Sequence, residues 1–187
     1  STTTDTDGVF SDPAVQAIVL STRHDTHADM ACKALRAGKH VFVEKPLALK
    51  HEELGQIERA VAEGTRDGRA PMVMVGFNRR FASQVQKVKS LLKGVTGPKS
   101  FIMTVNAGAI PADHWTQDRE VGGGRVVGEA CHFIDLLRFL AGCAITGHRV
   151  SVMDTRTRDT VSIELSFADG SIGTVHYFAN TSKRSFG

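Results

Sequence analysis

Ala37-Gly38-Lys39-His40-Val41-Phe42-Val43-Glu44-Lys45-Pro46 decides how this chain is read. Gly38 closes a helix, as glycine does just past a C-cap. His40 to Val43 is a short β-branched and aromatic run, the composition of a buried strand. Glu-Lys-Pro then stands at the strand's carboxyl end. In an open α/β sheet, ligands bind at those ends. An acid and a base side by side, fixed by the locked ring of Pro46, make a rigid polar corner. By chemistry alone the same residues describe equally well a strand end with ordinary solvated charges.

On either side of this stretch, strands alternate with helices. Residues 15–21 (VQAIVLS) read as a buried parallel strand. Residues 26–37 carry Ala28, Ala31, Cys32 and Leu35 at helical spacing. A second helix spans 49–63, with Leu54, Ile57 and Val61 on one face, a strand spans 72–76, and a third helix spans 82–93. Strands separated by helices of this length form right-handed βαβ units in a parallel sheet. After Gly97-Pro98 the pattern changes. Residues 99–105 alternate as a half-exposed strand, and Gly122-Gly123-Gly124 precede one long helix over 125–141. Three alternating strands follow at 148–153, 160–167 and 172–178, with a hairpin turn at Asp169-Gly170-Ser171. The expected fold class is α/β plus α+β: a partial Rossmann-like parallel sheet, then an antiparallel-sheet α+β domain. The expected domains are 1–97, the second half of a dinucleotide-binding domain, and 98–187, a truncated domain for substrate and oligomerisation.

Composition narrows the function classes. Of 187 residues, 41% are hydrophobic and 23% charged, enough to bury an ordinary core. The net charge of +3 and the absence of a basic run argue against nucleic acid and against a membrane surface. The longest apolar stretches are strand-sized, so no bilayer-crossing helix is expected. The polar opening Ser1-Thr2-Thr3-Thr4-Asp5 lacks a signal-peptide pattern. Cys32, Cys131 and Cys143 are odd in number and widely spaced, which speaks against a disulfide framework and for a reducing, cytoplasmic setting. His24 and His27 have no carboxylate or cysteine at ligand spacing, and no metal is expected.

Four motifs in order carry a resemblance. AGKHVFVEKPLAL resembles the signature of the glucose–fructose oxidoreductase/inositol dehydrogenase (Gfo/Idh/MocA) family. IVLSTRHDTH, ending at His27, resembles the family's preceding strand, loop and helix start. VGFNRRF, from Val75 to Phe81, resembles its next strand end, and GGG followed by HFIDLL resembles the helix carrying its catalytic histidine. The resemblance implies an NAD- or NADP-dependent dehydrogenase acting on a carbinol or keto group of a sugar, polyol or sugar derivative. It implies that Lys45 contacts the reacting part of the substrate and the nicotinamide ribose, that Glu44 orients Lys45 or binds the ribose, and that Thr22 and His24 lie beside the cofactor. It also implies that Arg80 positions nicotinamide or substrate, and that His132 is the general acid/base. An imidazole titrates near neutrality, as that task needs, and an ammonium can bind an oxygen as charge develops on it.

The sequence departs from the family at one point. Many members place an Asp one helical turn before the histidine; Gly128 stands there, and the acid comes next, at Glu129. At a helical spacing of three, Glu129 would share a face with His132 and orient it or bind a substrate hydroxyl. The glycine-rich dinucleotide loop and its ribose-binding acid are not in the sequence, so the resemblance implies a piece of a longer enzyme, inactive alone. Lys45, His132 and Glu129 are expected to line one cleft, and the C-terminal sheet to form homo-oligomers. The alternative is a non-catalytic remnant or sugar-binding module with the same fold.

Overall fold

The computed structural model describes residues 2–180. The chain divides into two compact units, residues 1–76 with 120–123, and residues 77–119 with 124–187. Helix Ser83–Leu92 groups with the second unit.

The first unit opens with a short helix, α1 (Thr6–Ser11), which the sequence pattern does not announce. Asp5 caps it by accepting from Gly8 N at 2.9 Å, and Phe10 enters the core. Strands β1 (Ala17–Leu20), β2 (His40–Val43) and β3 (Val73–Val75) form a parallel sheet in that order. Helices α2 (His27–Arg36) and α3 (His51–Gly64) connect them. Alternate residues Ile18, Leu20, Val41 and Val43 are buried with Ala28, Ala31, Leu35, Ile57 and Ala60 of the helices. The other face differs: Val19 is 70% exposed and Met74 49%. Among the described residues β1 is an edge strand. Of the residues expected on the core face of α3, Ile57 and Val61 meet the core and Leu54 is exposed; Ala60 and Gly64 complete that face.

Gly64 marks the closest approach of α3 to α2. A Cβ there would stand 1.8 Å from the carbonyl oxygen of Leu35. The obstacle is backbone, so it cannot rotate away.

The second unit holds a four-stranded sheet ordered β4-β7-β6-β5, with β4 (Ser100–Asn106), β5 (Ile145–Val152), β6 (Val161–Phe167) and β7 (Ile172–Phe178). β5, β6 and β7 pair antiparallel, as expected. β4 runs parallel to β7, so the sheet is mixed rather than wholly antiparallel. Alternation reveals which face of a strand is buried, not its direction. The β6–β7 turn falls at Asp169-Gly170, where Asp169 Oδ1 accepts from Ser171 N at 2.9 Å. The inner face, including Val161, Ile163, Leu165, Val175 and Tyr177, packs with Phe133 and Leu137 of helix α5 (Cys131–Ala141). Helix α4 (Ser83–Leu92) belongs to the same unit. The single long helix expected over 125–141 is interrupted: Val126–Ala130 is a π-helical turn leading into α5. Such turns are frequent at functional sites, and hydrophobic spacing does not reveal them.

Gly64→Ala is expected to lower unfolding free energy by about 1–3 kcal/mol, the cost of forced overpacking, read as a lower urea midpoint with an unchanged slope.

Candidate functional site

In the first unit, the carboxyl ends of β1 and β2 are level. Leu20 pairs with Val43, and Glu44 N continues the ladder by donating to Leu20 O at 2.8 Å. The loop after β1 carries Thr22, then a 3-10 turn, His24–Thr26. The corner after β2 carries Glu44 and Lys45, and the Lys45–Pro46 peptide is cis. The Glu44 carboxylate lies over Gly76, where a Cβ would stand 3.1 Å from it. Lys45 N approaches Glu44 Oε2 at 3.4 Å, a long contact. Thr22 Oγ1 and Thr26 Oγ1 are 2.6 Å apart.

Two histidines bind this end of the sheet together. His24 is buried, and its Nδ1 lies 2.9 Å from Gly122 O. Asp25 N donates to Val121 O at 3.2 Å. Residues 120–123 thus join the first unit as a short strap, and Lys50 Nζ reaches Glu120 Oε2 at 2.8 Å on its exposed side. Gly123 and Gly124, where the chain leaves the strap, take φ of +75° and +74°. Only glycine adopts two such values in succession at little cost, so the triplet is a shaped bend. His27 is fully buried; its Nδ1 is 2.8 Å from Pro46 O and its Nε2 3.1 Å from Thr22 O.

Burial pushes the His24 imidazole below its ordinary value; the Gly122 carbonyl opposes this, while Lys45 and His27 add to the lowering. The buried imidazole is therefore neutral at neutral pH. The His24 and His27 rings are 5.7 Å apart. Among the described residues no three His, Cys, Asp or Glu side chains gather as a metal ligand set.

The second unit carries Arg80, Glu129 and His132. His132 is the second residue of α5, buried, with the Phe77 ring edge-on at 6.1 Å. Arg80, on the 3-10 turn Asn78–Phe81, forks onto Asp135: Nε is 2.6 Å from Oδ2, and Nη2 binds Oδ1. Asp135 is buried, and the pair ties this turn to α5. Two of the guanidinium nitrogens that would position a ligand are thus engaged within the fold. Glu129 Oε2 accepts from Arg125 Nη2 at 3.0 Å and from the Tyr177 hydroxyl. Glu129 precedes α5, which carries His132. Glu129 lies in the π-turn Val126–Ala130. Burial, with the bond to Glu129, pushes the Tyr177 phenol far above its ordinary range, so it remains a donor.

Thr22, His24, Glu44 and Lys45 are thus brought together in the first unit, and Arg80, Glu129 and His132 belong to the second. Sequence reasoning missed the strap at 120–123, the bracing of the corner by His27, and the Arg125–Glu129–Tyr177 cluster. The only signal for His27 was its place in the IVLSTRHDTH motif.

The sequence profile described as "Oxidoreductase family, NAD-binding Rossmann fold" matches residues 1–77, and that of the "GFO/IDH/MocA C-terminal domain" matches 85–186. The chain belongs to the Gfo/Idh/MocA family. Among its relatives, inositol 2-dehydrogenase 2 of Saccharopolyspora erythraea is 32% identical over 182 residues, 92% of this chain and 50% of that protein. The scyllo-inositol 2-dehydrogenase (NAD(+)) of Bacillus subtilis is 33% identical over 141 residues, 74% of this chain and 39% of that protein. A solved structure, levoglucosan dehydrogenase in complex with NADH, superposes with a TM-score of 0.82 at 26% identity, covering 97% of this chain and 52% of that one. The chain spans half or less of the length of these curated relatives.

The lowered His24 value fixes a sign. Below the ordinary value of 6.5 the unfolded chain binds a proton that the folded chain resists. Stability from this group is complete above 6.5 and is lost as pH falls toward the folded value. Thermal midpoints measured between about pH 7.5 and about pH 5.5, the range of histidine titration, should fall less steeply in His24→Gln than in the parent.

Proposed function

We propose that this chain is part of an NAD-dependent dehydrogenase oxidising a carbinol of a sugar or polyol. The observation that carries the reading is Lys45 at the carboxyl end of β2, the middle strand of a parallel sheet, beside Thr22 and His24 at the end of β1. That is where an open α/β sheet receives its ligand. The named chemistry of the inositol and levoglucosan dehydrogenases supports the substrate class, and their NAD and NADH support the cofactor.

The chain's own residues suit the nicotinamide side of that cofactor. Thr22 offers a hydroxyl, Lys45 a cation and Glu44 a carboxylate on rigid strand ends. The residues that hold the phosphates in a Rossmann fold, a glycine loop at a helix N-terminus, are not in this sequence. When bound, the cofactor supplies the hydride acceptor. His132 serves as the general base for the hydroxyl proton, and Lys45 as a hydrogen-bond donor to an oxygen on which charge grows. Glu44 orients Lys45. Arg80 acts through Asp135, holding the turn before α4 onto α5, and Glu129 braces the start of α5.

By the same reading, residues 1–97 serve the dinucleotide and 98–187 the substrate. The outer face of the second sheet, with Ile102 and Ile172 exposed, pairs copies of the chain. The setting is cytoplasmic, in keeping with the odd number and wide spacing of the cysteines. No helix among the described residues is long and apolar enough to cross a membrane.

In the full-length gene product, His132→Ala should lower turnover ~10²–10⁴-fold, the worth of a positioned acid/base, and Lys45→Ala should do comparable damage. Near-normal turnover in both variants would refute these roles. Light scattering should give a dimer or larger assembly, reduced by Ile102→Asp together with Ile172→Asp; a clean monomer in the parent would remove the oligomer from the reading.

A further inference from the structure

We propose that a cavity at the amino ends of β2 and β3 binds the phosphate group of a small molecule, with Arg69 as the principal contact. The cavity measures about 460 Å³, a size that admits small ligands. Gly38 and Gly64 line it without side chains, and Arg66, Arg69 and His40 bring nitrogen donors to it. Gly38 precedes β2, whereas Lys45 follows it. The cavity therefore lies at the opposite end of the strands from Thr22 and Lys45, and the proposal stands apart from the dehydrogenase reading.

The chain between α3 and β3 builds this site. Arg66 N donates to Arg69 O at 3.1 Å, and Arg69 N donates to Arg66 O at 2.8 Å. Between them Asp67 and Gly68 take φ of +50° and +74°, as the favoured two-residue hairpin turn requires. Residues that exchange both backbone bonds stand directly opposite each other. Like charges in that position repel. The hairpin thus holds two guanidinium groups together against their repulsion, at the wall of a cavity. An anion bound there turns that repulsion into shared attraction.

The donors are not equally free. Arg66 donates to the carbonyls of Glu63 and Thr65 at the end of α3, and its Nη2 lies 3.4 Å from Arg36 O. Those bonds fix its charge and cover the negative end of the helix, which would oppose an anion. Among the described residues the Arg69 side chain has no hydrogen bond, ion pair or ring contact, so its whole fork is available. Met72 N donates to His40 Nδ1 at 3.0 Å. A neutral ring that accepts at Nδ1 carries its proton on Nε2, which then donates. Two acids stand nearby. Glu63 is paired with Arg36 at 2.6 Å, and Asp67 pairs with neither arginine of the hairpin. A carboxylate would bring two oxygens to this set of donors; a phosphate group brings three, and more charge.

Calorimetric titration of the full-length gene product with inorganic phosphate at constant ionic strength tests the site, with NADH present to fill any dinucleotide site. The parent should show saturable binding. Arg69→Ala should weaken it roughly 10–100-fold, the worth of a hydrogen bond to a charged group, and Arg69→Lys, which keeps the charge without the fork, should fall between the two. Arg69 is exposed, so these variants leave the core untouched. No saturable binding in the parent, or parent-like binding by Arg69→Ala, would overturn the proposal. Acetate should bind more weakly than phosphate; equal binding would overturn the phosphate assignment. Loss of dehydrogenase activity has no bearing on either result, because Arg69 separates this site from the other end of the sheet.

Discussion

The parallel pairing of β1 with β2 is the constraint on which the first half of the site depends. Leu20 lies opposite Val43, and one further backbone bond, Glu44 N to Leu20 O, carries the ladder past the last strand residue. On the far side Gly76 N donates to Val43 O at 2.8 Å. The three strand ends therefore finish level. Whatever follows each strand is delivered to one rim, so residues far apart in sequence, such as Thr22 and Lys45, need no long loops to meet. The buried alternate residues beneath, Ile18, Leu20, Val41 and Val43, hold the rim to a packed base. Sites built on strand ends inherit that rigidity.

How much of this could be read in the sequence depends on whether the information is local. Strand–helix alternation and the Asp169-Gly170 turn were legible because hydrophobic period and turn chemistry are written in neighbouring residues. The Glu44-Lys45-Pro46 corner was legible for the same reason: a buried run stops and charges begin. α1 escaped because six residues are too few for a period to register. The parallel direction of β4 escaped because burial on one face is identical in either direction. The π-turn escaped because Val126, Ala130, Phe133 and Leu137 still meet the core, so the apolar pattern continues across it.

Partnerships at a distance were the least legible part of the site. Arg80 with Asp135 spans 55 positions, and Tyr177 with Glu129 spans 48. Sequence gives each of these groups a chemistry but not a destination. Arg80 read as a ligand contact; its bidentate pairing with Asp135 makes one unit of the two. Removing either member would strand the other partly buried charge, which is why such pairs are costly to break even where their net contribution to stability is small.

The two units also differ in how their polar anchors respond to acid. In the second unit, the start of α5 is tied to the sheet through Glu129, which accepts from Arg125 and from Tyr177. Arg125 is charged at any working pH. Tyr177, held far above its ordinary range by burial, stays protonated. Neither donor changes state near neutrality, so the turn before His132 rests on bonds that do not titrate there. In the first unit, the strap at 120–123 is held by His24, whose burial makes a second proton unwelcome. Acidification places that charge beside Lys45 and His27 while leaving the Nδ1–H bond to Gly122 O available. The cost of acid is therefore paid as charge crowding at the rim, where Thr22 and Lys45 are displayed, and not at the base of the helix that presents His132.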